Sequence, residues 1–303
     1  MDKNKLQLLS TDFLLITVVV LWAGNLPLVK WALQGNDVFV FNSMRFLVAA
    51  IVTALIYFSR NTWQPLQRND IVKIIGAGIV ANVLYQMFFI FGISKTSAGN
   101  ASILLATAPL WTVVFSRLIH KENVHAQLWL GMAISLCGVV LIIFGSSKKI
   151  SFGSEALFGD VLMFFAAMMW ALNTYLQKFF LTRYSASQLT FIWMMVGSAS
   201  LTLIALPSVH SVNFTALHWS YYLAAFSSGA LSIGIANYLW TIGVKRIGPA
   251  KTANFNNLVP VLALILSYIF IGETLEMLQC IGAAATIAGV WIARRENKNF
   301  ISN

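Results

Sequence analysis

The sequence predicts an all-α integral membrane protein, with ten transmembrane helices built as two inverted five-helix repeats. Three observations carry this. The 303-residue chain is 58% hydrophobic and only 10% charged, with a mean hydropathy of +0.76, whereas an average soluble domain is about 25% charged. Ten apolar stretches are long enough for a bilayer core of about 30 Å, which takes about 20 residues at 1.5 Å each. Polar residues recur at fixed offsets between the halves of the chain.

The apolar stretches run over 12–32, 38–59, 71–93, 98–118, 125–145, 158–178, 187–207, 218–243, 251–271 and 276–294. The connections are too short for a soluble domain. Strands of a membrane barrel would alternate over about ten residues, which these runs do not. Helices satisfy their own backbone in lipid, so they are the expected element. Lys3 and Lys5 precede a run of full spanning length with no small-residue cleavage site, so the first helix reads as retained. Cys137 and Cys280 both lie inside apolar runs, which leaves no disulfide framework and no CxxC metal site.

The net charge of +10 marks loop topology and not a nucleic-acid surface. With the N-terminus inside, fifteen cations fall on the cytoplasmic side: Lys3, Lys5, Arg60, Arg68, Lys73, Arg117, Lys121, Lys178, Arg183, Lys245, Arg246, Lys251, Arg294, Arg295 and Lys298. Four fall outside: Lys30, Lys95, Lys148 and Lys149. This bias predicts both termini in the cytoplasm and an even number of spans.

At an offset of 148, Asp12 falls on Asp160, Trp22 on Trp170, Ala23 on Ala171, Asn25 on Asn173 and Lys30 on Lys178. At 151, Gly92 falls on Gly243, Pro109 on Pro260, Ser116 on Ser267, Glu122 on Glu273, Gly131 on Gly282 and Gly138 on Gly289. Apolar similarity alone explains paired Leu and Val, but not paired Asp, Trp, Asn, Pro and Glu. The repeats are placed at 1–147 and 156–296, with a cytoplasmic tail at 297–303. An odd span count per repeat inserts the second upside down, the build of many secondary transporters.

The first span reads WAGNLPLVK from Trp22 to Lys30, and the second carries RFLVAA from Arg45. The fifth and tenth read KENVHAQLWLGMAISLCGVVLI and GETLEMLQCIGAAATIAGVWI. In this order across nearly the whole chain, these segments resemble the drug/metabolite transporter superfamily, in its EamA branch of ten-helix transporters. The resemblance implies transport of small metabolites across the cytoplasmic membrane of a bacterium, commonly export of amino acids or related compounds. It also implies that the fifth and tenth spans pack together, with the cavity among the others. Two departures leave the substrate open: Ala23 where the family's opening usually has Gly, and Trp193 at the place of Arg45 in the second half.

Arg45 is the one charge well inside a span, and such groups need a reason. Asn42, Arg45, Ala49 and Thr53 share one helical face. Arg45 either receives a carboxylate through paired hydrogen bonds or caps nearby carbonyls between helices. Asn82, Tyr85 and Gln86 fall at i, i+3 and i+4 of the third span, where one face can present all three. Asn237 and Trp240 are three apart in the eighth span, and Asn254 and Asn257 in the ninth, with Asn256 beside them. Amides supply donors and acceptors for a zwitterion, but also bond helix to helix for about 0.6 kcal/mol. As a set they are assigned to a cavity. Trp22 and Trp170, each three residues before Asn25 and Asn173, lie too deep for an interfacial belt. They either wall a cavity or fill space between helices, as do Trp111, Tyr175 and Trp193.

Pro109 and Pro260 each free a carbonyl one turn earlier. Gly131 with Ser135, and Gly282 with Thr286, are small-residue spacings for close helix packing. Asp12 and Asp160 read as helix-start caps and Lys30 and Lys178 as snorkelling ends. No Asp or Glu lies mid-span, and His120, His125, His210 and His218 flank loops, which predicts weak or indirect proton coupling. No Walker, HExxH or GxSxG pattern occurs, and no cofactor is expected. The partners expected are a small-molecule substrate and the lipid bilayer, and a monomer suffices. The alternatives to a transporter are a lipid-carrier flippase and, further off, an intramembrane enzyme.

Overall fold

A computed structural model describes residues 3–33, 36–60, 63–96, 98–120, 125–145, 154–271 and 276–294. Lys121, Glu122, Lys148, Lys149, Glu273, Arg295, Lys298 and the 297–303 tail lie outside the described residues, together with the side chains of Lys3, Lys5, Lys30, His120, Ser267 and Arg294.

The described residues are helical, joined by short turns, and no strand occurs among them. In chain order the α-helices are α1 (Lys3–Ala32), α2 (Val38–Arg60), α3 (Arg68–Ile79), α4 (Tyr85–Lys95), α5 (Ala98–Leu105), α6 (Ala108–His120) and α7 (Ala126–Phe144). There follow α8 (Ser154–Leu181), α9 (Ala186–Val209), α10 (Trp219–Ser227), α11 (Ala236–Ile247), α12 (Pro249–Asn254), α13 (Leu258–Ile271) and α14 (Met277–Arg294). Among the described residues, six segments are long and apolar enough to cross a membrane: Leu8–Val29, Val38–Arg60, Arg68–Lys95, Ala126–Phe144, Leu157–Leu181 and Ala186–Val209. Ile103–Ile119 and Met277–Ala293 are apolar but shorter.

Interruptions divide several of the helices, and each has a local cause or a local effect. A π segment, Val80–Leu84, joins α3 to α4, and another, Ser228–Ile235, joins α10 to α11. Such wide turns are frequent at functional sites. The break between α5 and α6 falls just before Pro109, and a 3-10 turn, Phe255–Asn257, falls just before Pro260. This is the kink expected from a residue that lacks an N–H for the carbonyl four back. Between α11 and α12, Gly248 has φ 83, a left-handed conformation that a side chain would strain, and Pro249 restarts the helix at its first turn.

Apolar side chains face outward, among them Phe13, Phe58, Val72, Leu118 and Met277, as a lipid boundary requires. Inside, α7 and α14 lie backbone to backbone. A methyl on Gly138 would sit 2.5 Å from the Gly282 carbonyl oxygen, and one on Gly282 would sit 2.6 Å from that of Gly138. Gly131 and Gly289 meet in the same mutual way, each methyl 2.6 Å from the other's carbonyl oxygen. Lipid gives helices no hydrophobic reason to associate, so close van der Waals approach of this kind holds them. Elsewhere α2 packs on α9, α4 on α8 and α1 on α11. The largest buried cluster runs from Leu15 and Val19 through Trp170, Leu189 and Trp193 to Trp240 and Val259.

Candidate functional site

A cavity with about 670 Å³ of unfilled space, its mouth included, lies in the middle of the molecule. It is lined by Trp22 and Asn25 of α1, Arg45 of α2, Tyr85, Gln86 and Phe89 of α4, and Leu105 of α5. Trp170 of α8, Ser232 and Ile233 of the second π segment, Asn237 of α11, Asn256 and Val259 complete it.

The rings form one continuous wall. Trp22 meets Trp170 edge to face at 5.1 Å and Trp240 at 5.0 Å, and Trp170 lies 5.7 Å from Trp240. Tyr85 extends the wall from Trp170, at 5.2 Å, to Phe89, at 5.7 Å. Hydrogen bonds fix two of these rings. Trp22 Nε1 donates to the Ser232 carbonyl at 3.0 Å, and Trp240 Nε1 to Thr174 Oγ1 at 3.3 Å. A ring held at both face and edge loses little entropy when it binds something.

Arg45 supplies the polar side. Its side chain is 2% exposed. Nε donates to Ser228 Oγ at 2.8 Å, Nη1 donates to Asn42 Oδ1 at 3.2 Å, and the guanidinium carbon lies 5.6 Å from the Phe41 ring centre. Ser228 Oγ passes a hydrogen bond on to Asn25 Oδ1. No carboxylate pairs with Arg45 among the described residues, so the charge is held by neutral acceptors and part of its fork of five donors is left over. A buried guanidinium without a counter-charge favours an anionic guest. On the same cavity, Gln86 Oε1 is buried without a hydrogen-bond partner, a ready acceptor for an N–H.

Seven of the sequence-predicted residues therefore come together on the cavity: Trp22, Asn25, Arg45, Tyr85, Gln86, Trp170 and Asn237. Asn237 also ties itself to its own helix, Nδ2 donating to the Ile233 carbonyl at 2.8 Å. Asn42 and Trp240 stand directly behind the lining, on Arg45 and on the two lining tryptophans.

The remaining five are placed elsewhere. Asn82 turns to the Trp193 carbonyl, at 2.8 Å. The π segment that contains it adds a residue to the turn and breaks the i, i+3, i+4 alignment with Tyr85 and Gln86. Trp111 packs edge to face on Phe164 at 5.3 Å. Asn173, unlike its counterpart Asn25, accepts from Gln177 Nε2 at 3.3 Å. Asn254 donates to the Val290 carbonyl at 3.3 Å, and Asn257 donates to Ser135 Oγ at 2.7 Å, so both join α12 and its 3-10 turn to the α7–α14 pair. Trp193 is packing: its Nε1 donates to the Ile74 carbonyl at 3.0 Å. Tyr175 is fully buried against Phe179.

Sequence reasoning did not assign Phe89, Leu105, Ser232, Ile233 and Val259 to the lining, and it placed Asn256 only beside Asn254 and Asn257. For Asn256 and Leu105 a signal existed, because they are the residues four before Pro260 and Pro109. The helix opens there, and Asn256 Nδ2 reaches the Leu105 carbonyl at 3.5 Å, the acceptor that Pro109 leaves without its helical donor.

The chain matches the model of the EamA-like transporter family twice, over residues 9–144 and 157–295. A Bacillus subtilis protein called uncharacterized transporter YdfC is 28% identical, over 100% of this chain and 97% of its own. Another from that organism, uncharacterized transporter YyaM, is 29% identical over 82% of this chain and 81% of its own. A protein of Streptantibioticus cattleyicolor named as a probable terminal-alkyne amino-acid exporter is 25% identical, covering 93% of this chain and 92% of its own. A solved crystal structure superposes with a TM-score of 0.76 over 94% of this chain and 96% of that one, at 19% identity, and so shares the fold. The matches span both halves of a chain rich in apolar helices, and the conclusion is direct: this multi-pass membrane protein belongs to the EamA-like transporter family.

Proposed function

We propose that the protein is a secondary transporter that exports small zwitterionic metabolites, amino acids or close relatives of them, across the bacterial cytoplasmic membrane by alternating access. The observation that carries this is the juxtaposition of Arg45, Gln86 Oε1 and the Trp22–Trp170–Tyr85 wall on one central cavity. The guanidinium receives a carboxylate, the amide oxygen accepts from an ammonium, and the rings pack on the side chain. The relative named as a probable amino-acid exporter lends support to this substrate class.

Ten spans in two inverted repeats, with both termini cytoplasmic, supply the motion. Reciprocal contacts support that reading. Gly78 faces Trp193 and Val196, while Gly229 faces the backbone of Arg45 and Val48. The offsets that pair the halves carry one contact onto the other. Gly92 against Met163 and Gly243 against Leu15 exchange in the same way. Mutual contacts of this kind are what two halves related by a two-fold axis would make, and they support that arrangement. Two similar halves of opposite sense can trade conformations and open the midplane cavity to either side in turn.

The test is counterflow in proteoliposomes with a panel of radiolabelled amino acids. Transport of at least one is expected, with Arg45→Ala abolishing it and Arg45→Lys, which keeps the charge but not the fork, retaining a part. Undiminished counterflow in both variants overturns the assignment of the site. A tag at Ser154 found on the same side as the N-terminus overturns the inverted arrangement.

A further inference from the structure

We propose that the cleft between α3 and α8 is a binding site for an anionic phospholipid, with its phosphate on Lys73, Lys178 and Arg183 and an acyl chain in the groove beneath. The cleft holds about 1,390 Å³ of unfilled space, its mouth included, and shares no lining residue with the central cavity.

Its shape follows from how the helices run. α4 packs along α8, but on the far side of the π segment α3 stands off it. The gap is walled by Gly76, Val80 and Phe179, among others. A methyl added at Gly76 would meet nothing within 4 Å, so the groove beside it is open. The neighbouring outer face of α3 is apolar and bare, with Val72 78% exposed and Ile75 and Ile79 exposed as well. A helix face of that kind borders lipid, so the groove opens sideways into the bilayer.

The rim is charged at one level. Lys73 stands in the second turn of α3, Lys178 in the last turn of α8, and Arg183 just past the end of α8. Asp70 is the single acidic residue on this cleft among the described residues. It already accepts from Arg183 Nη1 at 3.0 Å and from the Tyr184 hydroxyl at 2.9 Å. Lys73, Lys178 and Arg183 thus bring cationic side chains to the rim at headgroup height, above an apolar slot. Basic pockets between transmembrane helices take acidic lipid headgroups, and the long lysine stems let the ammonium groups reach them. This inference rests on the membrane setting alone and is independent of what the central cavity carries.

The experiment uses the full chain in non-ionic detergent. Phosphatidylglycerol, phosphatidylcholine of the same acyl chains, and soluble glycerol phosphate are titrated, with bound lipid counted by native mass spectrometry. Saturable binding of phosphatidylglycerol is expected, at least about tenfold tighter than phosphatidylcholine. Lys73→Ala and Lys178→Ala should each weaken it about fivefold, the contribution of one cation at a membrane surface. Gly76→Leu keeps the cations but fills the slot, and should weaken it too. Equal binding of phosphatidylcholine overturns the proposal. So does glycerol phosphate competing as well as the lipid, or unchanged binding in all three variants. The comparison of the two lipids on the unaltered chain decides the matter even where a variant fails to fold.

Discussion

Arg45 Nε donates to Ser228 Oγ at 2.8 Å, across 183 positions of sequence. Ser228 begins the second π segment, and its hydroxyl also reaches Asn25. One hydroxyl thus aims the guanidinium and joins α1, α2 and the α10–α11 segment. Ser228→Ala leaves a buried donor unpaired, a cost of about 1–3 kcal/mol. The expected result is a lower unfolding midpoint and a raised half-saturation for counterflow with Arg45 intact. Thermal unfolding and counterflow on the same preparation measure both.

The tryptophan wall separates ring from N–H. Trp22→Phe keeps a ring against Trp170 and Trp240 but removes the donor to the Ser232 carbonyl. Trp22→Ala removes both. Aromatic pairs contribute about 0.5–1.5 kcal/mol beyond the area they bury. Trp22→Ala should therefore raise the half-saturation constant about threefold to tenfold, and Trp22→Phe less. Initial-rate transport over a range of substrate concentrations distinguishes them.

The α7–α14 contact tolerates no added side chain. Gly138→Ala puts a methyl against the Gly282 carbonyl, and overpacking of this kind costs about 1–3 kcal/mol. Gly24→Ala adds the same methyl where nothing lies within 4 Å. Alanine is favoured over glycine in a helix by about 1 kcal/mol, so Gly24→Ala should hold or raise the unfolding midpoint while Gly138→Ala lowers it. Thermal unfolding in detergent reads the pair side by side.

No Asp, Glu or His lines the central cavity among the described residues. A pH gradient then finds no carboxylate or imidazole on that lining to act through. In vesicles, an imposed pH gradient without counter-substrate should give little accumulation of a neutral amino acid, while a gradient of that amino acid drives rapid exchange. Several-fold accumulation on the pH gradient alone would contradict this.

The helices themselves were legible because lipid demands long apolar runs, and the kinks were legible because proline cannot donate. The π segments were not. Val80–Leu84 and Ser228–Ile235 hold no proline, and Val80–Leu84 no glycine either, so nothing local announces a wider turn. Their effect is large. The turn at Val80–Leu84 sends Asn82 to Trp193 while Tyr85 and Gln86 reach the cavity, and the turn at Ser228–Ile235 brings Ser232 and Ile233 to it. Asn254 and Asn257 share a helical face as expected, but the 3-10 turn directs that face to Ser135 and gives the cavity to Asn256. Residue types that suit a ligand were readable. Which of them a turn had rotated away was a tertiary matter.

The solitary charge of Arg45 has an electrical corollary. One elementary charge crossing 100 mV changes energy by about 2.3 kcal/mol. A zwitterionic passenger brings no net charge, so the loaded and the empty carrier both hold the same single positive centre. If the proposed reorientation carries that centre through the field, the cycle is expected to pass no steady current and to give a transient charge displacement when the voltage is stepped.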